Sequence, residues 1–177
     1  MRRRLGREVV VRGLGAGAQA GLVTLGPLVL ACALGRTGRR VGKREGDGAT
    51  PVGRWTVREV FYRPDRIARP QTRLKVRPLR PGDGWCDAPG DRNYNRAVAL
   101  PYPARTESLW RADRLYDVVV VLGYNDRPRV QGRGSAVFLH LAAEGLAPTA
   151  GCVALRPRDA LRLIERLAPG DRVRVMA

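Results

Sequence analysis

Four consecutive valines, Val118 to Val121, stand between Asp117 and Leu122. Successive side chains of a strand point to opposite faces, so an unbroken β-branched run has to be covered on both sides. Valine is also stiff at χ1 and suits an extended backbone better than a helix. Residues 117–122 are therefore expected to form a central strand. Other segments offer partners for it. Residues 8–12 read as a strand, and residues 21–25 and 28–34 as a hairpin through Gly26-Pro27. Residues 54–62, 135–139 and 172–176 read as further strands, the last by strict alternation, RVRVM.

One helix is expected, starting at Pro157, where a missing N–H costs nothing. Ala160, Leu163, Ile164 and Leu167 make its apolar stripe, and Pro169-Gly170 stops it. The expected fold is mostly β, a β-rich α+β chain with a C-terminal helix. At 177 residues, 1–177 reads as a single domain able to bury a core without disulfide staples.

Two regions admit competing readings. The start is basic, with Arg2-Arg3-Arg4, and an apolar stretch over 22–34 ends in Ala31-Cys32-Ala33, as in an export leader. Glu8, Arg12 and Gln19 interrupt that pattern and Gly26-Pro27 breaks its middle, so strands are the better reading. No window is long and apolar enough for a transmembrane helix. Seven of the thirteen prolines fall between Pro64 and Pro103, so about residues 63–110 are expected to be a long irregular insertion. It reads as clamped to the core by its aromatics or as a lid, two compatible roles. Trp85, Asp87, Tyr94 and Asn95 are its candidate substrate contacts. Tyr124 and Asn125, after the valine strand, either line a cleft or do ordinary turn work.

The chemistry-bearing stretch is residues 138–155, FLHLAAEGLAPTAGCVAL. It contains the one histidine of the chain, His140, and Cys152 in a small-residue turn after Thr149, Ala150 and Gly151. A thiol becomes a good nucleophile when a base removes its proton, and imidazole is the usual base. Residue types alone favour a buried structural cysteine and a structural histidine. The arrangement favours chemistry: base and thiol each follow an expected strand, and Gly151 lets the backbone turn so that amide N–H groups can face a substrate oxygen. Cys32, Cys86 and Cys152 cannot all pair with one another, and no zinc spacing is present.

Charge adds a second class of function. A net charge of +17, mostly arginine, predicts attraction to polyanions such as nucleic acid, anionic lipid or an acidic wall polymer. The basic residues are scattered, and no zinc-finger, K-homology or RNA-recognition signature accompanies them. A basic nucleic-acid-binding domain, or a wall-binding module without catalysis, is the alternative to an enzyme.

The stretch resembles the active-site segment of the L,D-transpeptidase catalytic (YkuD) domain, in which a histidine and a loop precede Ser/Thr-His-Gly-Cys. Thr50-Pro51-Val52-Gly53 resembles that family's Thr-Pro-x-Gly, and the likeness spans roughly residues 8–176. It implies a sandwich-like β-sheet with a flanking helix. It implies Cys152 as nucleophile, His140 as base oriented by the Leu141 carbonyl, Gly151 as an oxyanion donor and Thr149 at the Ser/Thr position. The implied activity is cross-linking of peptidoglycan stem peptides through a Cys thioester, with L,D-carboxypeptidase activity when water is the acceptor. The implied partners are donor and acceptor stems, with a carbapenem as inhibitor. Also implied are no cofactor or metal, no specific nucleic acid, a monomer, and a place in the periplasm or cell envelope. Ala150 replaces the family's second histidine, Ala154 replaces an Arg or Asn, and the His-to-Thr loop is shorter. These departures point to an atypical short form, differing in donor length or using a cross-link from the first stem residue. If residues 153–156 are extended, Arg156 shares a face with Ala154 and is expected to supply the missing charge.

Overall fold

The structure of the chain, a computed structural model, describes residues 6–177; the basic triplet Arg2-Arg3-Arg4 lies outside them. Strands β1 (Glu8–Gly13), β2 (Ala20–Leu25) and β3 (Leu28–Ala33) form an antiparallel meander. Gly26, at φ +56°, makes the turn beside Pro27, a conformation that costs glycine nothing. Val9 and Val11, Val23 and Leu25, and Leu28, Leu30 and Cys32 bury alternate positions, so the stretch resembling a leader is sheet.

The next segment holds β4 (Arg39–Arg40) and β5 (Thr50–Pro51), a short parallel pair, and leads into the long β6 (Gly53–Tyr62). One half of β6 pairs with β14 (Arg172–Val175), the other with β11 (Val118–Leu122). β12 (Phe138–Leu141) runs antiparallel to β11 and parallel to β13 (Val153–Leu155), which pairs in turn with β3. With β1 alongside β14, the order β11-β12-β13-β3-β2-β1-β14-β6 returns to β11 and closes the sheet on itself. Closure leaves no open edge within that ring. β7 (Lys75–Pro78) extends from β6 in parallel.

The closed sheet has two covered faces. Val118 and Val120 face a cluster that includes Val9, Val11, Leu139 and Leu155, completed by Ala160, Leu163 and Ile164 of α1 (Pro157–Arg166). Val119 and Val121 face the opposite way, towards Phe61, Phe138 and Cys152. The valine run is thus buried on both faces as expected, and each such side chain contributes about 1.5–3 kcal/mol relative to exposure. The fold is mostly β with a single C-terminal helix.

Two expectations need correction. The segment 63–110 is irregular only in part: besides β7 it carries β8 (Asp83–Cys86), with β9 (Arg96–Ala99) and β10 (Thr106–Ser108) on either side. Trp85 and Leu109 pack into the face that holds Phe138 and Cys152, which ties this small sheet to the core. Its strands are three or four residues long and lie between prolines, too short to give a periodic signal. The strand expected over 135–139 begins later, because Ala136 sits at φ +51°. His140 therefore lies inside β12 rather than after it.

Candidate active site

β12 and β13 pair in parallel with Leu139 opposite Val153 and His140 opposite Ala154. Leu139, Leu141, Val153 and Leu155 point into the helix-side core. The period of two then puts Phe138, His140, Cys152 and Ala154 on the other face. Cys152 donates its S–H to the Ala136 carbonyl (3.2 Å) and accepts the Phe138 N–H (3.4 Å). His140 Nδ1 lies 2.7 Å from the Leu141 carbonyl oxygen, as the resemblance implied. A carbonyl can only accept, so Nδ1 carries the proton and Nε2 keeps its lone pair. The Tyr116 ring stands edge-on to the imidazole at 5.2 Å and donates its hydroxyl to Glu107 (2.6 Å).

Burial is the first influence on both titrating groups. It pushes the His140 imidazole down to about 4, against the pull of the Leu141 carbonyl. It pushes the Cys152 thiol up to about 12; Glu107 adds to this, and the Phe138 N–H and the Lys43 charge oppose it. The pair therefore rests as neutral thiol and neutral imidazole. In this conformation the thiol proton is held by the Ala136 carbonyl.

The turn before the cysteine is closely packed. Gly151 has φ +136°, and a Cβ there would stand 2.8 Å from the Ala49 carbonyl oxygen and 2.9 Å from Lys43 Nζ. Its N–H donates to Thr149 Oγ1 (3.1 Å), whose hydroxyl donates to the Cys152 carbonyl (2.7 Å). In this conformation the Gly151 amide is engaged within the turn rather than facing the cavity. Thr50 of the Thr-Pro motif accepts the Gly35 N–H (2.8 Å) and donates to the same Cys152 carbonyl (3.2 Å). The two motifs, 102 residues apart, thus meet at the backbone of the thiol.

A cavity of about 530 Å³ opens in front of His140, Gly151 and Cys152, with Thr149 and Asp87 also in its lining. The other expected contacts lie elsewhere. Trp85 donates to Asn95 Oδ1 (3.0 Å), which also accepts the Ala136 N–H (3.1 Å), while Asn95 Nδ2 donates to the Tyr124 and Asn125 carbonyls (both 2.9 Å). Tyr94 is buried and donates to Glu45. Tyr124 stacks edge-on against Trp55 at 4.8 Å, and the Asn125 side chain ties Val130 and Gly134 (3.0 and 2.9 Å). These five support the cavity wall rather than line it. Arg156 is exposed outside the lining, because the chain leaves the strand for α1 at that residue.

Apart from Asp87, the cavity's charge comes from residues the sequence did not mark out: Arg36, Lys43, Arg105 and Arg111, with Glu45 and Glu107. Lys43 and Asp47, four apart, carried the one local cue, a charge pair. Cys32 and Cys86 are buried free thiols, so no bridge joins them. Among the described residues, no three His, Cys, Asp or Glu side chains cluster as a metal site.

A thiol and an oriented imidazole thus lie on adjacent strands and open on one charged cavity. The model of the L,D-transpeptidase catalytic domain, YkuD, matches residues 19–175, and the chain belongs to this family. No curated protein and no solved structure gave a significant match to it.

Proposed function

We propose that this protein is a cysteine L,D-transpeptidase that cross-links peptidoglycan stem peptides in the cell envelope. The observation that supports it best is the shared face of β12 and β13, where Cys152 and His140 open on one cavity and Leu141 fixes the imidazole tautomer. In the proposed reaction, Nε2 of His140 takes the thiol proton as sulfur bonds to the donor carbonyl carbon, and the carbonyl electron pair moves to oxygen. Collapse of this intermediate expels the donor's terminal residue, whose amine takes the proton from the imidazolium. An amine of a second stem then attacks the thioester and restores the thiol. Water in place of that amine gives a carboxypeptidase product.

A mixed-charge cavity suits a stem peptide, which carries both carboxylates and an ammonium. The test is incubation with purified muropeptides, followed by mass spectrometry of the products. Cross-linked dimers that vanish with Cys152→Ala are expected; unchanged muropeptides with the active protein would overturn the reading.

A further inference from the structure

Lys43, whose side chain ends in an ammonium, is buried to 4% exposure. A buried ammonium needs a partner, and Asp47 supplies one at 2.7 Å. Asp47 is itself heavily solvated by the chain: its carboxylate also accepts the Arg44 N–H (2.8 Å) and the Ala49 N–H (2.9 Å). Burial works against that carboxylate, but these amides and the Lys43 ammonium outweigh it and hold it below its ordinary range. Part of the Asp47 charge is thus answered by backbone dipoles, which leaves the ammonium less than fully neutralised. Among the described residues, Asp47 is the one hydrogen-bond partner of Lys43 Nζ, so two of the three N–H groups of an ammonium remain to be used.

The position of this cation is specific. Lys43 lines the same cavity as Cys152, and its Nζ lies where a side chain at Gly151 would begin. The glycine therefore serves the cation as well as the turn: any Cβ at 151 would push the ammonium away. The Gly151 N–H, which could have met a developing negative charge, is instead held by Thr149.

We propose that Lys43 is a catalytic electrostatic residue, a fixed cation that stabilises negative charge at the Cys152 sulfur and then on the tetrahedral oxygen. Its role with a substrate rests on the transpeptidase reading above; its effect on the thiol does not. The charged and titratable groups that share the cavity with that sulfur are Lys43, Glu107, Tyr116 and His140, with Arg36, Arg105, Arg111, Glu45 and Asp87. Lys43 is the cation whose charge acts on the thiol, and Glu107 opposes it.

The test is the alkylation rate of Cys152 by iodoacetamide, followed by intact mass between pH 6 and 9 at about 25 °C, with the adduct located by peptide mapping. Lys43→Met, which keeps the buried stem and removes the charge, is expected to slow alkylation about tenfold or more at every pH. Asp47→Asn, which removes the opposing charge but keeps an amide oxygen to accept from the ammonium, is expected to leave the rate unchanged or raise it. A purely structural lysine would give a different pattern: both variants would unfold at lower temperature and neither would separate from wild type in rate. Wild-type alkylation in Lys43→Met overturns the proposal, as does an Asp47→Asn rate that falls as far as that of Lys43→Met. If Lys43→Met does not fold, Lys43→Gln replaces it under the same criteria, and Asp47→Asn is read on its own. Alkylation needs no stem peptide, so a Lys43-dependent thiol that makes no muropeptide product overturns only the transpeptidase reading.

Discussion

His140 Nδ1 sits 2.7 Å from the carbonyl oxygen of Leu141, its neighbour in the same strand. The bond places the proton on Nδ1 and leaves Nε2 with its lone pair, so the ring is oriented without a carboxylate. His140→Gln keeps an amide in the strand but supplies no base. Its acylation rate is predicted to fall by about 10²–10⁴, with stability close to wild type. Stopped-flow acylation alongside thermal unfolding checks this, and a fall of less than threefold contradicts the assignment of His140 as the base.

The same ring makes stability depend on pH. Burial holds its folded-state value at about 4, below the ordinary 6.5. As pH drops below about 6.5, the unfolded chain takes up a proton that the native ring refuses, so stability falls until about pH 4 and this group contributes no further loss below that. The total is roughly 3 kcal/mol. Urea unfolding at pH 7 and pH 4 is expected to show a smaller loss in His140→Gln than in wild type. Glu107, raised by burial, acts in the opposite direction in both proteins and cancels in the comparison.

Gly151 is predicted to tolerate no side chain. Its φ of +136° is strained for any other residue, and a Cβ would meet both Ala49 and Lys43. Gly151→Ala is expected to cost about 2 kcal/mol or more and to lower acylation at least tenfold, measured by denaturant titration and acylation kinetics. Wild-type kinetics would show that the turn is not held as described.

Trp85 ties the small sheet to the core. It packs edge-on against Phe138 at 5.1 Å and holds Asn95, which in turn holds the Ala136 N–H beside the thiol. Trp85→Ala is predicted to destabilise the protein by about 3–5 kcal/mol. A variant of unchanged stability with weaker substrate binding would favour the lid role instead.

Much of the frame was legible because its signals are local. The valine run announced a strand buried on both faces, Gly26-Pro27 announced a hairpin, and the stripe from Ala160 to Leu167 announced the helix. Cys152 and His140 stood out by type and by family pattern, and the structure brings both to one cavity. The supporting residues were not, because their meaning lies in contacts distant in sequence. Thr50 reaches Cys152 across 102 residues, and Asn95 reaches Ala136 across 41. Arg156 shows the converse: strand alternation predicted its side, but the chain turns into a helix at that residue. Lys43 was hidden because a lysine in a Gly- and Arg-rich loop reads as a solvated charge until its burial is seen.

The most direct measurement is the intact mass of the protein after exposure to a carbapenem, with Cys152→Ala, Cys86→Ala and His140→Ala in parallel. One adduct per chain is predicted, absent in Cys152→Ala, slowed in His140→Ala and unchanged in Cys86→Ala. An adduct that persists in Cys152→Ala, or no adduct on wild-type protein that is otherwise folded, would contradict an acyl-transfer site built on Cys152 and His140.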